Sequence, residues 1–409
     1  MALKLEQLEF LAGPRGAEAM TMDIPDNPLS AQKKLRKLYT YDEACAIGHM
    51  RELRTRSVAF AKFSRELAEQ MLLSDELLQQ CSSLRLANYV GKKMAVLAGA
   101  AGQSGVMDLC CGLGGDAIGL ASAGMNVLGY DISPEATIYS AHNASVAGVS
   151  DHTKFATADV TQLDIPSEAV VHIDPDRRSG GRRVVALSEL QPGEEFLRSL
   201  TQNTAIGAMK LSAAMDFSEL DDWSNVRLEY VSEDGVCKQL VVWWSPEIPA
   251  QGAPARSATA VWGDMNDPQS ESIAAIDDTP VPYGEVGRWL IEPGPEVIAA
   301  HAVAALADKY KLWCAYPGML WLFGAEPVDS HLARSYEILE MVSGREREIR
   351  LALKKYDVGL VEVKSRGVSI KTDGLQRRLR GKGSRTMVVL WTRMGDKQKA
   401  FIGVRRKMA

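Results

Sequence analysis

The chain has 409 residues, 46% hydrophobic and 24% charged, enough apolar mass for more than one buried core. No run of about 18 apolar residues is free of charge and the N-terminus lacks a basic, apolar, small-residue succession, so neither a membrane span nor a secretory signal is expected, and the expected compartment is the cytoplasm. The net charge of −5 hides an asymmetry, because the stretch from Arg345 to the end carries 19 Lys and Arg against 6 Asp and Glu.

Up to about residue 100 the apolar residues recur at helical spacing, as in Val58, Phe60, Phe63, Leu67, Met71 and Leu72, which predicts a helical segment over 1–100. From Gly105 the pattern changes to short apolar runs separated by helical stretches: 106–109, 126–130, 153–156, 169–173 and 205–211. Two further runs, 226–231 and 239–244, flank Asp234-Gly235 and read as a hairpin. Together they predict an α/β domain over 101–246, a Rossmann-like sheet of seven strands with one antiparallel. Residues 247–285 are rich in Pro, Ala, Ser, Gly and Asp and read as a linker with one short hairpin near Ser257–Trp262. In the remaining region, 286–409, residues 295–309 read as a helix. A small basic α+β domain is expected over about 330–409, from segments 332–342, 345–355, 359–364, 375–380, 386–392 and 399–404.

The first strand of the α/β domain runs into Asp108-Leu-Cys-Cys-Gly-Leu-Gly-Gly-Asp116. Gly112 and Gly114 suit a tight strand-to-helix turn in which backbone approaches a ligand. Asp131 ends the second strand, where a carboxylate can accept both hydroxyls of a ribose. Asp159 follows the third, where it can accept from an adenine amine while the Val160 amide approaches the ring. Asp174-Pro175 ends the fourth. An NAD site also calls for glycines and an acid, but this run lacks a regular Gly-x-Gly-x-x-Gly, and Asp159 and Asp174-Pro175 have no part in hydride transfer. S-adenosylmethionine is therefore the expected cofactor. Asp108, Gly112, Gly114, Asp116, Asp131, Ile132, Asp159 and Val160 form the candidate cofactor set.

These residues, with His172-Ile-Asp-Pro-Asp-Arg-Arg178, Ile291-Glu-Pro-Gly-Pro295, Arg334-Ser-Tyr-Glu-Ile-Leu-Glu340 and Val361-Glu-Val-Lys-Ser-Arg-Gly367, resemble bacterial class I S-adenosylmethionine-dependent methyltransferases with a C-terminal THUMP-like domain. The resemblance covers most of the chain beyond about residue 50. It implies that Asp108, Gly112 and Gly114 hold the methionine part of the cofactor, Asp131 the ribose and Asp159 the adenine. It also implies RNA, tRNA or rRNA, as substrate.

Nucleic-acid amino-methyltransferases commonly carry Asn or Asp, Pro, Pro and an aromatic at the fourth strand, to hold a target amine and stack on its base. Here Asp174 and Pro175 match, and Arg177 or Arg178 would take over stacking or hold a phosphate. No cysteine lies at this motif, which disfavours covalent attack on a pyrimidine and favours direct in-line transfer to nitrogen or oxygen, with an exocyclic amine the favoured acceptor. Lys210, ending the fifth strand, is expected to be structural, with facing the substrate as the alternative. The six cysteines and six histidines make no metal-ligand spacing, so no metal is expected. Adjacent Cys110 and Cys111 read as small buried residues rather than a redox pair. In the basic end domain Lys364, Arg366, Arg377, Arg378, Arg380, Lys382 and Arg385 are the candidate RNA-binding set. The alternative functions are an RNA-binding or assembly factor that retains the cofactor fold, and methylation of a protein or small molecule.

Overall fold

Seven helices fill the first hundred residues, from Leu5–Ala12 to Leu84–Ala100. Their starts are written in side chains: Thr40 and Glu43 form a reciprocal capping box at the head of Tyr41–Ala59, and Ser83 caps Leu84–Ala100. Leu8, Leu11, Ile47, Met50, Leu53 and Leu72 share one core. The computed structural model describes residues 3–176, 178–179, 182–183, 186–248, 254–276 and 279–407.

The α/β sheet then forms from β1 (Gly105–Leu109), β2 (Asn126–Asp131), β3 (Thr153–Thr157), β4 (Val170–Ile173), β5 (Ile206–Ser212), β6 (Val226–Glu233), β7 (Val236–Trp244), β8 (Ala255–Gly263) and β9 (Pro268–Ala274). Their order is β9-β8-β6-β7-β5-β4-β1-β2-β3. The run from β3 to β5 is parallel, and β7 is antiparallel to β5. The seven expected strands are thus present. Asp234 and Gly235, with φ of 51° and 75°, make the two-residue turn between β6 and β7.

The stretch 247–285 holds β8, at the expected short hairpin near 257–262, and also β9, and both lengthen the sheet. β8 alternates little, burying four consecutive residues from Ala258 to Val261, so its pattern does not separate it from loop.

Helix Leu84–Ala100 lies against Gly115–Ser122 with backbones nearly touching. A Cβ on Gly91 would sit 2.3 Å from the Gly119 carbonyl oxygen, so glycine alone permits this crossing. Asn143, fully buried on helix Pro134–Val146, accepts from the Leu72 amide (2.8 Å) and donates to the carbonyls of Leu72 and Leu113 (both 3.0 Å). One side chain thereby fastens the N-terminal helices to the glycine turn.

The chain divides into two compact units. The first is Met1–Leu228 with Gln239–Pro254 and Val261–Ser270; the second is Glu229–Lys238 with Ala255–Ala260 and Glu271–Ala409. Within the second, β10 (Trp289–Pro293), β11 (Leu322–Gly324), β12 (Ala333–Ser343), β13 (Val358–Arg366), β14 (Arg385–Met394) and β15 (Lys397–Arg405) form a sheet in the order β11-β10-β12-β15-β14-β13. β13 and β14 are parallel and joined by helix Thr372–Leu379. Leu290, Trp321, Phe323, Tyr336 and Phe401 share a core on this sheet, which therefore begins well before residue 330. The helix expected over 295–309 is two helices, Pro295–Ala299 and Val303–Tyr310, broken where His301 takes a positive φ of 56°.

Candidate active site

The glycine turn, the ends of β1, β2 and β4 and the helices before them enclose a cavity of about 690 Å3. Of the candidate cofactor set, Gly112, Asp116, Asp131, Ile132, Asp159 and Val160 line it, as do Asp174 and Pro175. The floor is shaped by backbone that bends unusually. Cys110, just past β1, has φ of +62°, and Gly112 and Gly114 follow at +54° and +76°. A Cβ on Gly114 would lie 2.9 Å from the Ser140 Cα, so this glycine serves the packing behind the turn and does not itself line the cavity.

Asp131 is held at both oxygens. Oδ2 accepts from the Gly112 amide and Oδ1 from the Ser133 amide, each at 3.0 Å, which fixes the carboxylate at the mouth of the turn. Asp159 Oδ1 accepts from the hydroxyl and amide of Thr161 (2.7 and 3.0 Å), which keeps its carboxyl below the usual range.

Asp108 departs from its expected place. Its side chain is 1% exposed, does not line the cavity, and accepts from His172 Nδ1 at 2.6 Å across the β1–β4 pairing. Burial pulls the His172 imidazole toward neutrality, but the Asp108 charge and hydrogen bond outweigh it and raise its pKa. Asp108 thus supports the floor; direct contact with a ligand is replaced by a buried carboxylate–imidazole pair.

Lys210 is more than a packing residue. Only 2% exposed, its Nζ lies 2.6 Å from Asp116 Oδ2 and 2.6 Å from Asp174 Oδ2, joining the helix after the glycine turn to the end of β4. Burial disfavours the ammonium, yet the two carboxylates reverse this and raise its pKa, while Lys210 in turn holds Asp116 below its ordinary value despite burial. The fifth-strand position was visible in the sequence; the two partners, 94 and 36 residues away, were not.

One wall had no local signature at all. Ser74, Leu77, Gln80 and Cys81, from the N-terminal helical segment, line the cavity, and Gln80 Nε2 donates to Asp176 Oδ1 at 3.1 Å. Arg177 lies outside the described residues, and of Arg178 only the backbone is described, in a two-residue pairing with Arg183. The cysteines of the cavity are inert thiols: burial pushes Cys81 up to about 11, and Cys110 and Cys111 also upward. Among the described residues no group of His, Cys, Asp and Glu has the makings of a metal site, and no helix is long and apolar enough to cross a membrane.

A glycine turn beside a twice-anchored aspartate, with a second aspartate after β3, is a cradle for an adenosine-bearing ligand. An uncharacterised S-adenosylmethionine-dependent methyltransferase of Mycobacterium tuberculosis strain H37Rv is 30% identical over 329 residues, covering 80% of this chain and 86% of the relative. The chain belongs to the S-adenosylmethionine-dependent methyltransferases. This methyltransferase also matches the family model described as RNA cap guanine-N2 methyltransferase over residues 103–205, and that described as THUMP domain-like over 333–406. A 23S rRNA (uracil(1939)-C(5))-methyltransferase of Acidithiobacillus ferrooxidans is 34% identical over 122 residues, 28% of this chain and 27% of that protein. A crystal structure from Porphyromonas gingivalis W83, described as a candidate methyltransferase, shares the fold over the full length of both chains, with a TM-score of 0.75 at 17% identity.

In the THUMP-like segment the candidate RNA-binding residues divide. Lys364 is 18% exposed and its Nζ sits 2.6 Å from Glu292, so its charge is spent internally, and Arg366 NH2 lies 3.6 Å from the same carboxylate. Arg378 makes paired contacts with Glu346 (Nε 3.1 Å, NH2 2.9 Å). Arg377, Arg380, Lys382 and Arg385 are exposed. The exposed basic surface thus holds Arg377, Arg380, Lys382 and Arg385 with the paired Arg378, while Lys364 and Arg366 lie beside Glu292.

Proposed function

We propose that this methyltransferase modifies an exocyclic amine of an RNA base, captured with the help of the THUMP-like segment. The observation that carries the reading is Asp174, which lines the cavity next to Pro175 and is gripped by a buried lysine. A carboxylate so fixed can accept an N–H of the target amine and turn its lone pair toward the methyl group. When bound, S-adenosylmethionine would supply an electrophilic sulfonium methyl with a neutral thioether as its leaving group. The amine proton leaves afterwards, toward Asp174 or water.

Asp131 would accept the ribose hydroxyls, Asp159 with the Val160 amide and Ile132 would meet the adenine, and the amides of the Gly112–Asp116 turn would face the methionine end. Asp131→Ala should weaken S-adenosylhomocysteine binding by about 1–3 kcal/mol, since buried hydroxyls lose their acceptor. An unchanged calorimetric affinity would remove Asp131 from the site.

The matched family model is named for guanine-N2 methylation, an exocyclic amine, and the rRNA methyltransferase that matches part of the chain acts on RNA. That rRNA enzyme methylates a uracil carbon, chemistry usually begun by a cysteine thiolate; a Cys81 thiol raised to about 11 does not supply one at neutral pH. The test is to incubate the protein with methyl-labelled cofactor and, separately, cellular RNA, protein and metabolites. Label in RNA is the expected result, and label only in protein or metabolites would overturn the RNA reading. Replacing Arg377, Arg380 and Lys382 together by Glu should abolish RNA retardation on a gel and leave cofactor affinity unchanged; undiminished retardation would move RNA capture elsewhere.

A further inference from the structure

Three of the sequence segments that the methyl-transfer site leaves unused meet at one cleft of the second unit. Glu292-Pro-Gly-Pro-Glu296, Arg334 and Arg366 line it, with a volume of about 180 Å3. That is below the roughly 300–1,000 Å3 of pockets for drug-sized ligands, and suits a single flat group.

At its base Glu296 is 1% exposed, and neither carboxylate oxygen meets a donor in hydrogen-bond geometry, although the Ser232 hydroxyl and the glutamate's own amide lie nearby. Burial pushes this carboxyl up to about 7. A buried carboxylate without donors is costly, and a ligand bringing two would relieve it. Around it are cations with N–H groups to spare: Arg334 NH1 is 3.9 Å and Arg366 NH2 3.6 Å from Glu292, both beyond hydrogen-bond length, while Lys364 and the Tyr336 hydroxyl satisfy that carboxylate at 2.6 and 2.9 Å. Two glycines make the arrangement possible. A Cβ on Gly294 would sit 2.1 Å from Glu296 Oε1, and one on Gly235 2.0 Å from Arg334 NH2.

We propose that this cleft receives one unpaired guanine base of the RNA, its N1–H and N2 amine donating to Glu296 and its O6 and N7 accepting from Arg334 and Arg366. Among the four bases guanine alone presents a ring N–H beside an amine on its pairing edge, with two acceptors next to it that suit arginine. The inference rests on the RNA reading above and adds to it the identity of a base held away from the methyl-transfer cavity.

The test uses the full chain with saturating S-adenosylhomocysteine, so that cofactor occupancy is the same for every probe. Fluorescent uridine heptamers carrying one central guanosine, inosine or adenosine are the probes, with guanosine monophosphate titrated separately. Guanosine should bind roughly tenfold or more tighter than adenosine, with inosine, which lacks the N2 amine, between them. E296Q should erase the preference while leaving S-adenosylhomocysteine affinity intact. R334M, which leaves the carboxyl in place, should reduce it independently and serves if E296Q does not fold. Equal binding of all three heptamers would overturn the guanine cleft and leave RNA binding standing. Guanosine monophosphate binding lost in E296Q, without heptamer binding, would support the cleft and overturn the RNA reading; no binding of either probe would overturn both.

Discussion

Lys210→Met is expected to be the most damaging single substitution in the cofactor domain. The ammonium is 2% exposed and bridges two carboxylates, Asp116 and Asp174, that are themselves only 13% and 18% exposed. Removing one partner from a buried ion cluster leaves uncompensated charge, which costs about 3–5 kcal/mol. The sign of the pH dependence follows from the two shifts. Asp116 is held below its ordinary value, so its contribution is present above the unfolded carboxyl value of about 3.9 and is lost as pH falls through the lower folded one. Lys210 is raised, so its contribution is complete below about 10.4 and is lost as pH climbs through its higher folded value. The stability gap between wild type and variant, measured by denaturant unfolding, should therefore be widest from neutral pH to about 10.4, narrow as pH falls because without the ammonium burial raises Asp116 and it takes up a proton sooner, and close again as Lys210 deprotonates. A gap under 1 kcal/mol at pH 7 would mean that the cluster is not a structural centre.

The second large effect is on turnover. Asp174→Ala removes the carboxylate that lines the cavity at the end of β4 and is fixed by Lys210. If it orients the target amine, the methyl-transfer rate should fall by roughly 10²–10³, the loss typical of removing one preorganised polar group from a reaction centre. Asp174→Asn keeps an acceptor oxygen and should retain more activity than the alanine variant. S-adenosylhomocysteine affinity, read by calorimetry, should change little in either. A loss of affinity equal to the loss of rate would make Asp174 a cofactor residue instead.

What could be read in advance followed chain-local patterns. The five parallel strands and the antiparallel hairpin leave marks within a few residues of one another, and each lies where it was expected; of the acids after β1 to β4, Asp131, Asp159 and Asp174 line the cavity and Asp108 does not. Asp131 is an example: an acid at the end of β2 with a glycine turn 19 residues before it, and the two meet through the Gly112 amide. Partnerships across the fold left no such mark. Nothing near Asp108 announces that His172 will take its carboxylate, and nothing near Lys364 announces Glu292, 72 residues earlier. Both were assigned outward roles because a sequence shows a charge but not its neutraliser. The wall from Ser74 to Cys81 was hidden for a related reason, since its residues have ordinary helical composition and reach the cavity through distant contacts, the core they share with Leu113 and the Asn143 tie from Leu72 to Leu113 among them. Within the Pro- and Gly-rich stretch 247–285 the sequence shows a short hairpin near 257–262, but neither the full length of β8 nor β9.

The exposed Arg377, Arg380, Lys382 and Arg385 and the cleft around Glu296 both belong to the second unit, whereas the cofactor cavity is built wholly from the first. Substitutions in the one leave the residues of the other untouched, so the proposed binding and chemistry can be tested separately. Truncation is a poor tool here, because β12 pairs with β15 at the far end of the chain and a cut at Arg345 would break the sheet.

The most direct measurement of the central claim is nucleoside analysis of RNA methylated by the protein. Cellular RNA from a strain lacking the gene is incubated with methyl-labelled S-adenosylmethionine, digested to nucleosides and separated. The expected result is label in one nucleoside methylated on an exocyclic amine, absent when Asp174→Ala replaces the wild type. Label in a ribose O-methyl or a C5-methyl pyrimidine, or an undiminished signal from the variant, would contradict it.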